Sequence, residues 1–463
     1  GKPTPFTSGT SGGTDSAPPT PADDVTSEFN VWDQAIAAKN IAAGDVSYAI
    51  SRLNWTNNTT FDMYESDVSS TNLTSSGKSS IYQSTFFFRT SDNRVYKVID
   101  NNGGTAYSGS EPTSESTSFF SQGGYVLKYM YTITSAEQTK FLTSDFMPVS
   151  TDSTVSAAAV DGNIESVIVT AGSGYTDGTY YVAINGDGTS AGTASGAVVE
   201  FVVSSGAIAS FGLTSGTDTI VYSGGTNYTY GTITLTDDTV FANAGLTTAV
   251  DSGDINNGSG GAIKVVISPK GGHGSNAVNE LGGHYVIMNT LFVGAEGDDL
   301  LTGNDFRNIS IVTEPTNFGT TTVATATTRR QIYAAVFSSV SGTFTADEEI
   351  NQASTGAVGK VVEYDSTNKI LYYYQTRFPD VGTDTNGNLT AFSGANAITG
   401  QSSSAAATPN TSNSTTTNGV VFVSGYSNPE LAFDSGDIIY VEERSPITRA
   451  SDQTENIKLI VEF

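Results

Sequence analysis

Apolar residues in this chain alternate with polar ones far more often than they recur at helical spacing. Across 125–134, Val126, Lys128, Met130 and Thr132 alternate with Tyr125, Leu127, Tyr129 and Tyr131, which predicts a half-buried strand with an aromatic face. Residues 86–89 and 95–99 flank Ser91-Asp92-Asn93, a hairpin signature. Similar runs predict strands at 263–267, 284–293, 309–312, 333–340, 349–352, 359–364, 369–375, 437–442 and 457–463. One helix stands out. Val25, Phe29, Trp32 and Ile36 share one helical face, Asp24 or Thr26 can cap its start, and Gly44 ends the pattern. Before it, Pro3, Pro5, Pro18, Pro19 and Pro21 make 1–24 an irregular arm.

An internal repeat lies between 161 and 236. Gly162-Asn163-Ile164 opens a strand leading to Gly172-Ser173-Gly174-Tyr175, and Gly206-Ala207-Ile208 opens a second leading to Gly224-Gly225-Thr226-Asn227-Tyr228. Each copy reads as a strand, a glycine turn placing one Tyr, and a return strand at 181–184 or 233–235. Two copies are too few for a solenoid, which needs about three to bury its faces, so a small β-domain is expected. The Gly/Ser/Thr/Asn/Ala-rich stretch 382–418 reads as a long surface loop. The expected fold is mainly β: a layered β-sandwich core with one N-terminal helix and two inserted small β-domains. The core would comprise 1–150, 262–319 and 430–463, and the insertions 151–261 and 320–429.

Composition strengthens this reading and narrows the partners. In 463 residues only 14% are charged, against about 25% in an average globular protein. The 49 glycines suit tight turns, while 22 Tyr and 23 Phe provide enough apolar surface for cores. The formal charge is −27, which disfavours nucleic acid and anionic membrane as partners, since both demand cationic surfaces. The chain has no Cys, excluding disulfides, thiolate zinc sites and thiol nucleophiles. No apolar run approaches the roughly 20 residues of a membrane-spanning helix, and no secretory signal pattern opens the chain. Gly1 in place of an initiator Met points to an upstream segment.

Candidate chemistry is sparse. Gly77-Lys78-Ser79 resembles the end of a phosphate loop, but Asn72 stands where the first Gly is required. The runs 294–305 and Asp384-Thr385-Asn386-Gly387-Asn388 resemble calcium loops, yet the first is a single copy and the second has Ala395 in place of the bidentate Glu. Acidic turns are the simpler reading of both. The two histidines are His273, in Gly271-Gly272-His273-Gly274-Ser275, and His284; a hydrogen-bonded imidazole in a glycine turn is expected for the first. No catalytic residue, metal ligand or cofactor-binding residue is assigned, and the chain is expected not to be an enzyme. Two rival readings are a virion adhesin that binds host carbohydrate through Tyr175 and Tyr228, and a polysaccharide-degrading enzyme using carboxylates that no spacing singles out.

The C-terminal run differs from all of these. Between 436 and 455, Tyr440, Glu443, Arg444, Arg449 and Asp452 lie close together in sequence. The expectation is a charged, rigid connection between two strands that forms a docking surface, since Arg pairs bidentately and Tyr supplies contact area at low entropy cost. Gly436-Asp437-Ile438-Ile439-Tyr440-Val441-Glu442, then Arg444, Pro446-Ile447, Asp452-Gln453-Thr454-Glu455 and a last strand ending at Phe463 resemble the C-terminus of the dimeric baseplate wedge protein family of T-even-type contractile-tailed phages. Trp32, Ile50-Ser51-Arg52 with Trp55, Gly124-Tyr125-Val126 with Tyr129, and Phe306-Arg307 with Ile309-Ser310-Ile311 and Pro315 follow in the same order. Residues 1–6 resemble a segment inside family members, while 151–261 and 320–429 look like additions. The resemblance implies a homodimer in the virion's tail baseplate, assembled in the host cytoplasm, joining other wedge proteins to peripheral fibre and pin proteins. It implies no catalysis and no cofactor.

Overall fold

The structure, a computed structural model, describes residues 1–6, 13–188, 196–251, 253–293, 305–377, 382–448 and 453–462. The protein is mainly β, with several antiparallel sheets and few helices. It divides into two compact units, one from Gly1–Ala42 with Thr290–Ile457 and one from Ala43–Asn289 with Lys458–Phe463.

The second unit is built around a four-stranded sheet in the order Phe87–Arg89, Arg94–Asp100, Tyr125–Thr132, Phe120–Gln122. The expected hairpin is present, and Asn93 takes the positive φ that its turn requires. The aromatic strand is not half-buried. Tyr125, Leu127 and Tyr129 join Phe88, Tyr96 and Val98 in one apolar cluster, while Val126 and Met130 enter others across the sheet. Both faces are covered, so positions that period-two reasoning gives to water hold the buried side chains of Lys97 and Lys128. Trp55 packs edge-on against Tyr107, with centroids 5.7 Å apart. A second sheet pairs Tyr285–Phe292 with Val46–Ser51, and that strand with Phe146–Pro148. Three short helices beyond the expected one also occur: Ser135–Phe141, with a Thr134/Glu137 capping box, Ser153–Ala158, capped by Asp152, and Ala277–Glu280, capped by Asn276.

The repeat region folds about a strand the alternation did not disclose, Ala197–Ser204, because it is buried on both faces and reads as an apolar run broken only by the buried Glu200. It pairs with Gly178–Ala183, Ala207–Ile208 and Ile220–Gly224. The expected return strand at 233–235 is absent. Tyr175 and Tyr228 are buried in this module's core. Their rings lie where backbone passes without a Cβ: a Cβ on Gly258 would sit 2.0 Å from the Tyr175 ring, and one on Gly188 2.3 Å from that of Tyr228.

In the first unit the helix spans Val25–Asp33, capped by the Asp24 carboxylate accepting from Ser27 N. Ile36 falls beyond it, and Trp32 is buried. Asp33, 1% exposed, receives bonds from the backbone N–H and guanidinium of Arg377, which also pairs with Asp434 and stacks on Phe29 at 3.8 Å. The main sheet has seven strands: Ala406–Ala407, Ile398–Gly400, Glu349–Gln352, Ala357–Asp365, Ile370–Tyr374, Tyr333–Val336 and Tyr426–Ser427. Along Ile370–Tyr374, Leu371 and Tyr373 enter one core cluster and Ile370, Tyr372 and Tyr374 the other. Tyr372–Tyr374 therefore form core rather than an outer contact face. The stretch 382–418 is likewise no simple surface loop: it supplies two of the seven strands, and Phe392, Ile398, Ala405 and Ala407 are buried.

Candidate protein-docking surface

The strands Asp305–Thr313 and Asp437–Thr448 form a two-stranded antiparallel ribbon. Its register pairs Asn308 with Glu443, Ile309 with Glu442, Ser310 with Val441, Ile311 with Tyr440 and Val312 with Ile438, with irregularities between Phe306 and Asn308 and between Ile311 and Val312. The expected charged connection after 442 is thus mostly strand. Glu443 continues the pairing and Ile447 resumes it opposite Phe306, with Arg444 in the irregularity between them; β-branched and aromatic neighbours on both strands favour extension, and local charge does not override it.

Tyr440 is half-buried; burial, then the neighbouring Glu442, pushes its hydroxyl above the usual phenol range. Arg444 lies 3.7 Å from Glu442 on the same strand. Glu443 accepts from Asn308 Nδ2 at 3.1 Å, and burial, partly offset by that bond, holds its carboxyl above the ordinary range. Its second oxygen and the Arg444 Nε are buried without a hydrogen-bond partner among the described residues. Arg449 and Asp452 lie outside the described residues. The ribbon's root is fixed by Arg307, 3% exposed, which donates to both Asp15 oxygens at 2.8 and 2.9 Å and to the Pro3 carbonyl at 2.7 Å.

Each ribbon strand has one partner among the described strands. At the root Gly1 N donates to the Asn308 carbonyl and Arg307 N to that of Gly1; farther along, neither strand has a second strand neighbour among the described residues, the feature that lets another chain add by main-chain bonding. Ile439 is 54% exposed at that edge strand, while Ile438, Val441, Ile309 and Ile311 are only partly covered. Chemically the ribbon offers apolar contact and strand pairing. It presents no nucleophile beside a base.

The other candidate motifs resolve locally. Gly77-Lys78 lies in a tight turn in which Thr74 N donates to the Lys78 carbonyl, followed only by a single 3-10 turn, Ile81–Gln83, and not by the α-helix a phosphate loop needs. Asp384 caps its own turn by accepting from Asn386 and Asn388. The run 294–304 lies outside the described residues. Among the described residues no three His, Asp or Glu side chains converge as a metal would need, and no helix is long and apolar enough to cross a membrane. His284 packs edge-on against Tyr82. His273 is hydrogen-bonded, as expected, but its partner was not legible: Nδ1 lies 3.0 Å from Lys97 Nζ, which also donates to Glu280 Oε2 at 2.9 Å. A rule that reads Lys as solvent-facing conceals this cluster. The hydroxyl oxygens of the buried Tyr175 and Tyr228 accept from Gly261 N and Ala197 N, so neither presents a ring to a sugar. No protein-family model, curated protein or solved structure matches this chain.

Proposed function

We propose that the protein is a structural subunit of a contractile phage tail baseplate wedge, working as a homodimer and not as an enzyme. It would join wedge backbone proteins to peripheral fibre or pin proteins and carry their rearrangement as a stiff body during tail contraction. The observation that carries this reading is the ribbon. Two islands of family resemblance, Phe306-Arg307 with Ile309–Ile311 and the 436–447 run, lie far apart in sequence yet are hydrogen-bonded neighbours. They form one element with no further strand neighbour among the described residues, half-covered apolar side chains and a root locked by Arg307. Sheets covered on both faces resist internal remodelling, which suits rigid-body transmission. A permanent interface in such an assembly buries about 2,000 Å² or more.

Two measurements test the reading. Light scattering on the purified chain should give a dimer, and purified tails should contain the chain in paired copies within each wedge. Its absence from assembled tails, or turnover of a polysaccharide by the purified chain, would overturn it.

A further inference from the structure

Beneath the central sheet of the second unit, Lys97 and Lys128 are directly opposed on adjacent strands, Arg94–Asp100 and Tyr125–Thr132. Both are buried. Like charges at opposed positions repel, and each ammonium loses its water. Lys128 donates to the Thr117 carbonyl. The Lys97 ammonium, fully buried, has only Glu280 and His273 as hydrogen-bonding partners among the described residues. An ammonium can only donate, so His273 Nδ1 accepts, which places the ring proton on Nε2. That Nε2 is buried with no hydrogen-bond partner among the described residues. The ring of Tyr64 lies 3.8 Å from Lys97 Nζ, and Tyr64 and Phe119 both meet the imidazole edge-on. Glu280 Oε1 accepts from Gly274 N at 2.8 Å and Asn276 N at 3.3 Å.

We propose that Lys97 and Glu280 condense within the folded chain to an amide between Nζ and Cδ, with His273 as the base. The ammonium first passes a proton to Oε2 across their 2.9 Å contact, leaving a neutral amine and a carboxylic acid. The Nζ lone pair attacks Cδ, and the carbonyl π pair moves to Oε1, where the Gly274 and Asn276 N–H groups stabilise it. His273 Nδ1 takes a proton from Nζ and returns it to the Oε2 hydroxyl, which leaves as water when the carbonyl re-forms. One ammonium and one carboxylate become a secondary amide and one water, and no other reactant is consumed.

The site supplies what this reaction lacks in water. Fixed geometry raises the effective concentration of two groups, on the order of 10⁵–10⁸ M in well-oriented pairs. Burial penalises both charged reactants but not the amide. Desolvation lowers the Lys97 pKa and, reinforced by Lys97 and Lys128, keeps His273 neutral. Glu165, which accepts from His273 N, stays as a counter-charge for Lys128.

Mass spectrometry of the full-length, denatured protein decides the matter. A chain lighter by one water, with a proteolytic fragment joining the Lys97 and Glu280 peptides, is expected. A chain of full mass overturns the proposal, as does a water loss without that joined fragment. Lys97→Arg keeps the charge but cannot condense, so it should show full mass; a deficit there would overturn the assignment. His273→Asn should show most chains at full mass, while circular dichroism reports whether it folds. An undiminished cross-link in it would overturn the role of His273.

Discussion

Asp100 closes its strand almost out of contact with water, and burial raises its carboxyl from 3.8 to about 6, partly offset by the Asn102 N–H it accepts. A carboxyl raised in the folded state contributes stability below its unfolded value, and that contribution is lost as pH rises through about 6. Asp100→Asn keeps an acceptor for Asn102 and removes the charge. It should raise stability at about pH 7.5 by on the order of 1–3 kcal/mol and leave it unchanged near pH 3.5; denaturant midpoints at the two pH values check this. Arg377→Ala should act oppositely, costing about 3–5 kcal/mol because Asp33 is left buried without its partner. Thermal unfolding measures that loss. Neither site is apparent from sequence. Arg377 and Asp33 are distant in the chain, and Asp100 ends a run whose alternation points polar residues outward.

The Val25–Asp33 helix with its Asp24 cap and the Arg94–Asp100 hairpin were legible as elements, but their burial was not: Val25 on the expected apolar face is exposed, the helix ends well before Gly44, and Val95–Asp100 is buried throughout. Where both faces are dry, alternation no longer reports burial. Ala197–Ser204 was missed for this reason, and Tyr125–Thr132 was found as a strand but taken as half-buried. The short strands in 382–418 were hidden differently. Their core residues are mostly Ala and Gly, which a compositional reading assigns to loops. Glycine-flanked tyrosines in the repeat were visible as a pattern, but their purpose, ring against bare backbone, needed the fold. Gly258→Ala should therefore drive a methyl into the Tyr175 ring and destabilise this unit by about 1–3 kcal/mol. Denaturant melts of the variant, with Gly44→Ala as an unhindered comparison in the same unit, test that estimate.

For the whole molecule, sequence supplied the mainly-β class and a short list of surfaces, and the docking candidate shifted from a charged loop to a ribbon edge. Net charge of −27 keeps copies apart at long range, so assembly must come from short-range apolar and main-chain contact. Ile439→Asp, at an exposed position, should change monomer stability by no more than about 0.5 kcal/mol while abolishing the dimer and incorporation into tails. Sedimentation and particle composition read the two effects separately. Raising salt should tighten self-association by screening that repulsion.

The chain has two tryptophans, and they fall one to each compact unit, Trp32 in the first and Trp55 in the second. Nature has thereby placed a separate optical reporter in each half. Emission from Trp55→Phe follows only the half bearing the ribbon, and emission from Trp32→Phe only the half bearing Lys97, so loss of order in either can be timed without a dye or label.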